Sequence, residues 1–288
     1  MAPPSRLCSS CGQLNRGDER RCSRCDAALS AGSWSRILRA GSSLFARRHV
    51  ATNFFVVVSV LVYVGLLLGQ GGLFESVRRY QALRWGALEG RLGLVEPWRF
   101  LSAMFVHFSL LHVGLNTLSL RSLGRELEDS IGSARVTLIF LVTGIGGFVV
   151  SQLWYTPPQL TGGISGGVFG LLGAAAGWRY AEGDEQWKRL ALTGAGYAAA
   201  TALIPMQMFN NAAHAGGLVL GGLLAWALFR AGRSRSVERI SNALALVLVL
   251  ATVASIVLSL TSPRLARRAA AEPSEQRGPV PGLRLRLA

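Results

Sequence analysis

The sequence predicts an all-α polytopic membrane protein: a bundle of six transmembrane helices with a seventh on its C-terminal side, preceded by a small zinc-ribbon-like module. Three observations carry this. The chain is 50% hydrophobic and 16% charged, and its apolar residues gather into runs of about 20, the length that crosses about 30 Å of hydrocarbon. The net charge of +15, from 30 Lys and Arg against 15 acids, is spread over short connections, a pattern of membrane topology and anionic-lipid contact rather than of nucleic-acid binding. Near the N-terminus two C-x-x-C pairs stand ten residues apart.

Residues 1–32 hold Cys8-Ser9-Ser10-Cys11 and Cys22-Ser23-Arg24-Cys25. Each pair places two thiolates on one tight knuckle, and two knuckles complete a tetrahedral S4 site suited to Zn2+. A redox dithiol is one pair beside a βαβ pattern. Disulfides are out of place on an arm that shows no cleavable signal peptide and is expected to stay in the cytoplasm. With few apolar residues to bury, the module is expected to fold only around the metal, whose role is structural. Arg16, Arg20, Arg21 and Arg24 make it basic, but no aromatic platform accompanies them, so nucleic acid is disfavoured and the ribbon's partner stays unspecified.

Residues 33–52 form a basic linker in which Trp34, Ile37, Leu38, Leu44 and Phe45 alternate with Arg36, Arg39, Arg47 and Arg48, the makings of an interfacial segment on the inner face. A first span is expected at 53–68. The 70–97 connection, with Gly71-Gly72 and a mixed-charge stretch at 75–91, is too long for a simple turn and reads as functional. Further spans are expected at 100–120, 136–155, 162–180, 190–204, 210–229 and 242–260. Residues 53–230 then make a six-helix core, 231–262 a linker and seventh helix, and 263–288 a basic tail. The fifth span, rich in Ala and Gly, is weakly apolar.

Arg and Lys set the orientation. Arg121, Arg125 and Arg135, then Arg179, Lys188 and Arg189, then Arg230, Arg233, Arg235 and Arg239 fall on connections facing the same side as the N-terminus, while 156–161 and 205–209 carry none. The tail after Leu260 conflicts with this rule: it has six arginines yet falls outside if the spans number seven. An arginine-rich, lysine-poor and glycine-rich composition points to a GC-rich bacterial genome and so to a plasma (inner) membrane.

Within the spans lie a few polar residues, each needing a partner at that depth. Gly162-Gly163-Ile164-Ser165-Gly166-Gly167 opens the fourth span. Taken alone it reads as a small-residue helix contact, but bare neighbours at Gly163, Gly166 and Gly167 also leave the Ser165 oxygen uncrowded, as a nucleophile requires. His214 lies at the same depth in the sixth span. His112 and Asn116, four apart, share one face of the second. Ser165 can attack a carbonyl if His214 accepts its proton, and His112 and Asn116 can donate to the oxyanion that forms. No acidic residue lies at this level, so the arrangement is a dyad. Singly, Asn116 reads also as glue between helices, and His107, five before His112, as a helix–helix hydrogen bonder on another face. Gly217 and Gly221 form a G-x-x-x-G that draws the fourth and sixth helices together, an approach that would bring His214 to Ser165.

Over about residues 53–230 the chain resembles the rhomboid family of intramembrane serine proteases. The carrying motifs are Glu96-Pro97-Trp98-Arg99; His107-Phe108-Ser109-Leu110-Leu111-His112 with Asn116; Gly124, Glu128 and Gly132; Gly163-Ile164-Ser165-Gly166; and Ala213-His214-Ala215-Gly216-Gly217 with Gly221. The resemblance implies a catalytic dyad of Ser165 and His214, with His112, Asn116 and the Ser165 backbone amide as oxyanion hole and no cofactor for catalysis. It implies that the 70–99 connection is the family's half-submerged first loop, to which Trp98 and Arg99 belong. Many relatives have Tyr where Phe169 stands, so the ring is kept and the hydroxyl lost. The implied substrate is another protein's membrane helix, unwound near its outer end at Gly, Ala, Ser or Pro. The Pro205-Met206-Gln207-Met208-Phe209 connection looks like a lid over His214. The alternative readings are a catalytically inactive rhomboid-like protein that binds membrane helices, and a zinc-ribbon regulator for which the bundle is an anchor. The presence of both Ser165 and His214 favours the protease.

Overall fold

The computed structural model describes residues 5–8, 11–16, 18–27, 29, 43–70, 77–90, 92–155, 159–203, 209–232 and 234–264. Residues 33–42 of the interfacial segment expected at 33–52, Gly71-Gly72, positions 205–208 of the expected lid and the tail from 265 onward lie outside them. An antiparallel hairpin of β1 (Arg6–Leu7) and β2 (Leu14–Asn15) carries the first cysteine pair in its turn. Among the described residues seven long helices follow: α1 (Val50–Gln70), α5 (Leu110–Ile131), α6 (Ser133–Trp154), α7 (Ser165–Glu182), α8 (Gln186–Leu203), α9 (Asn211–Arg230) and α10 (Arg235–Leu260). Short α2 (Arg79–Arg84), α3 (Leu92–Val95) and α4 (Arg99–Ser102) lie between α1 and α5.

Among the described residues, α1, α6, α9 and α10 are long and apolar enough to cross a membrane, with a fifth span if α4 and its following turn are joined to α5. The seven expected spans thus correspond to seven helices, but α7 and α8 fall short in apolarity. Each has only 18 residues, so Arg179 and Glu182 at the end of α7, and Lys188 and Arg189 at the start of α8, dilute the whole length.

The second expected span is corrected. Positions 100–120 are not one helix: α4 and a 3-10 turn at Ala103–Phe105 end before Val106, and α5 starts afresh at Leu110, bent by 98°. Ser109 is the cause, its hydroxyl accepting from His112 N–H at 3.1 Å as an N-cap.

Backbone contact between α7 and α9 forms the centre of the bundle. A Cβ on Gly217 would collide with Gly166 O, one on Gly221 with Gly170 O, and one on Gly173 with Leu218 O. Small residues here substitute close van der Waals contact for the hydrophobic drive that lipid does not supply. α6 packs across the pair, with Gly147 against Ala213 O. By contrast α8 touches mainly α7 and α9, and buries only Gly194.

Two buried polar anchors fix the ends of this arrangement. The Glu128 carboxyl group, near the end of α5, accepts from Ala51 N (3.2 Å), Thr52 N (2.7 Å), Thr52 Oγ1 and Ser133 Oγ (both 2.5 Å). It thereby caps the start of α1 and ties it to the start of α6. At the other end, Arg99 is fully buried and donates to Glu96 Oε2 (2.5 Å), Leu83 O (2.6 Å) and Ala87 O (3.2 Å), folding the 77–99 connection around one ion pair. α10 reaches the same place: Ser262 Oγ donates to Glu96 Oε1 at 2.6 Å and Ser259 Oγ lies 3.0 Å from Ser102 Oγ. A bridge between Leu88 and Thr161 then stitches the connection to the segment leading into α7. The chain therefore reaches Ser262 at the end of the bundle where α7 begins, as an odd number of spans requires.

Candidate active site

Ser165 is the first residue of α7 rather than one a few positions inside it. Gly163, at φ +117°, breaks the helix expected from position 162, and its N–H is held by Ala103 O at 2.9 Å. A Cβ on Gly163 would lie 2.8 Å from His112 Nε2, so only glycine lets this turn rest against that imidazole. His214, fourth residue of α9, is 2% exposed. Its Nε2 lies 2.9 Å from Ser165 Oγ. Phe169, one turn after Ser165 and on the same face, stacks on the imidazole at 4.3 Å and 13°. Phe209, the one residue of the expected 205–209 lid within the described residues, meets the same ring edge-on at 6.4 Å.

Two residues that no motif marks complete the setting. Asn210 caps α9 by accepting from Ala213 N–H at 3.0 Å, and its amide donates to Ser151 Oγ on α6 (2.7 Å) and to Thr161 Oγ1 (2.8 Å). An Asn just before an apolar helix is the signal that could have found it. Thr201, on α8, brings Oγ1 to 3.4 Å from His214 Nδ1; nothing in its spacing announces this.

The four polar residues, each needing a partner at this depth, are only partly paired with one another. Ser165 pairs with His214. Asn116, 7% exposed, donates instead to the carbonyl of its own helix at His112 (2.9 Å), leaving a second N–H for another acceptor. His112 Nδ1 is buried without a hydrogen-bond partner among the described residues. His107 is corrected as well: it precedes α5, and its ring packs edge-on against His112 at 4.9 Å while Nδ1 lies 3.1 Å from Phe105 O. A hydroxyl within hydrogen-bond distance of a buried, stacked imidazole, beside a second imidazole and an amide, is an arrangement suited to nucleophilic acyl transfer.

Residues 95–231, from the segment around Glu96-Pro97-Trp98-Arg99 to the end of α9, match the rhomboid domain. The chain is 41% identical over 90 residues to RHOMBOID-like protein 2 of Arabidopsis thaliana, covering 31% of this chain and 28% of that one. It is 34% identical over 124 residues to Rhomboid protease GluP of Bacillus subtilis (43% of this chain, 23% of that one). It is 29% identical over 150 residues to Rhomboid-type serine protease 2 of Emericella nidulans (50% and 29%). The chain thus spans less than a third of the length of each of these relatives.

In the matched segment, Trp98 and Arg99 share no hydrogen bond with Ser165 or His214 among the described residues. Arg99 has its partners inside the connection, and Trp98 is half-buried at the start of α4.

Ahead of the matched segment, Cys8, Cys11, Cys22 and Cys25 place their sulfurs within 4.8 Å of one another. Cys8–Cys25 and Cys11–Cys22 are each 3.6 Å apart, and Zn–S bonds of about 2.3 Å set tetrahedral S···S edges of about 3.8 Å. The donors therefore fit a metal ion. The two knuckles repeat one backbone pattern. Cys8 N and Cys22 N donate to Gln13 O and Ala27 O, and Cys8 O and Cys22 O accept from Gly12 N and Asp26 N. Gly12 and Asp26 share a positive φ, 71° and 57°. Burial opposes ionisation of Cys22, but the backbone N–H groups of Arg24 and Cys25 donate to its sulfur and bring the thiol down to about 6.

Proposed function

We propose that this chain is an intramembrane serine endopeptidase that cuts transmembrane helices of other membrane proteins near their outer end. The observation that carries the reading is the 2.9 Å contact between Ser165 Oγ and His214 Nε2, buried and stacked by Phe169, inside a rhomboid domain. Ser165 Oγ attacks the scissile carbonyl while His214 Nε2 takes its proton. The oxyanion is met by the Ser165 backbone N–H, the His112 imidazole and the free N–H of Asn116, and one such donor is worth about 3–4 kcal/mol of barrier. His214 then gives the proton to the departing amine, leaving an acyl-enzyme on Ser165. A water deprotonated by His214 releases it. Because helix carbonyls are shielded by their own hydrogen bonds, the substrate must unwind locally, which favours small or helix-breaking residues at the cut.

The zinc-ribbon-like module holds Zn2+ as a structural ion through Cys8, Cys11, Cys22 and Cys25, with Asn15 and the Arg24 N–H supporting Cys22 from outside the ligand set. The chain enters the bundle at Glu128, sixteen residues along α5 from His112, a rise of about 24 Å. We place that end on the cytoplasmic side of a plasma (inner) membrane and the serine at the outer side. A module on the opposite face cannot join the chemistry, so it recruits or regulates.

The test is cleavage of a type I membrane helix with a small-residue outer juncture, in liposomes, by the native chain and by Ser165→Ala. Cleavage that disappears with the substitution is expected. A native chain that binds the helix, leaves it whole and resists a fluorophosphonate probe would instead favour the inactive, helix-binding reading.

A further inference from the structure

Thr201 Oγ1 faces the ring nitrogen of His214 that Ser165 does not use, 3.4 Å from Nδ1. A threonine hydroxyl has one proton, and this one is directed elsewhere: to Asn211 Oδ1 at 3.0 Å or to Ala198 O at 2.9 Å. Both of these are acceptors only. What remains to face Nδ1 is an oxygen lone pair, so Nδ1 must carry a proton for the contact to be satisfied. Nε2 is then bare, and it is Nε2 that lies 2.9 Å from Ser165 Oγ. The Ser165 hydroxyl, able to donate or accept, accommodates this tautomer, the one able to accept the serine proton.

We propose that Thr201 is a positioning residue for His214: from α8 it holds the imidazole in its base-competent tautomer through Nδ1–H···Oγ1, with Asn211 directing the hydroxyl. The kinetic consequence rests on the protease reading; the tautomer does not. Phe169 grips the ring by its face, which fixes the plane and leaves the two nitrogens equivalent. Thr201 supplies the in-plane partner that an acid supplies in a triad. When the serine proton arrives at Nε2, the Nδ1–H of the imidazolium already has its acceptor.

Nitrogen-15 spectra of histidine-labelled protein in detergent micelles read the tautomer directly. The chain has four histidines, and His214→Gln identifies the signals of His214. The native ring is expected to be Nδ1–H, Thr201→Val to move population to Nε2–H, and Thr201→Ser to keep the native spectrum. In cleavage, Thr201→Val is expected to lower kcat about five- to tenfold at unchanged KM, and Thr201→Ser to restore it. A native Nε2–H tautomer, or a Thr201→Val protein matching the native one in both spectrum and kcat, overturns the role of Thr201. A native Nδ1–H ring in a chain that leaves every substrate whole overturns the protease reading while the tautomer assignment stands.

Discussion

α8 and α9 flank the same imidazole and are held in opposite ways. α9 lies against α7 with glycine facing backbone, starts at an Asn210 cap bonded to two other segments, and buries Ala212, Ala213, His214, Gly217, Gly221 and Ala225. α8 buries only Gly194, and its Leu192 and Leu203 are 73% and 83% exposed. Ser165 and His214 therefore sit on a seam that cannot slide, while the hydroxyl facing the second ring nitrogen arrives on a helix that buries only Gly194. Rigidity is placed where it counts most, since a 1 Å misplacement of reacting groups costs on the order of a hundredfold in rate.

The largest effect should come from breaking the seam. Gly221→Val puts branched carbons into Gly170 O, backbone against backbone, with no flexible side chain to give way. A loss of more than about 4 kcal/mol is expected, seen as collapse of the thermal transition in micelles and loss of fluorophosphonate labelling at Ser165. Native-like labelling of this variant would mean that the α7–α9 contact does not set the Ser165–His214 distance.

Glu128→Ala should be smaller and of a different kind. It strips the acceptor from Ala51 N–H, Thr52 N–H and two hydroxyls at the end of the bundle away from His112. About 2–4 kcal/mol of stability should go, with labelling of Ser165 retained below the lowered transition. If labelling vanished while the protein stayed folded, the two ends of the bundle would be coupled, and the division into a fixed seam and a loosely held helix would need revision.

These expectations differ in how readily the sequence announces them. Ser165 and His214 stand out because a polar group inside an apolar run needs a reason, and G-x-x-x-G after His214 names the surface that brings them to 2.9 Å. The four cysteines stand out because C-x-x-C spacing is itself a geometry. The break before α5 is hidden: the run from 100 to 120 contains no proline and no charged residue to interrupt it, and a single hydroxyl, Ser109, decides that the helix restarts. The start of α7 is hidden for a related reason, since among several glycines only Gly163 takes the positive φ. Thr201 is beyond sequence reading altogether. It sits thirteen residues before His214 on a separate helix, and no periodicity links two side chains that meet only when two helices pack.

The smallest effect is the sharpest discriminator, because it sets one chemical change against itself. Gly196 on α8 opens onto space with nothing within 4 Å of an added Cβ. Gly196→Ala should stabilise by about 0.5–1 kcal/mol, the ordinary gain from restricting a helical glycine. The same substitution at Gly221 must push apart two backbones and destabilise. Opposite signs in paired melts of the two variants would locate the rigid and loose halves of the site by measurement. A destabilising Gly196→Ala would mean that α8 has a neighbour on that face, and Thr201 would then be held as firmly as His214.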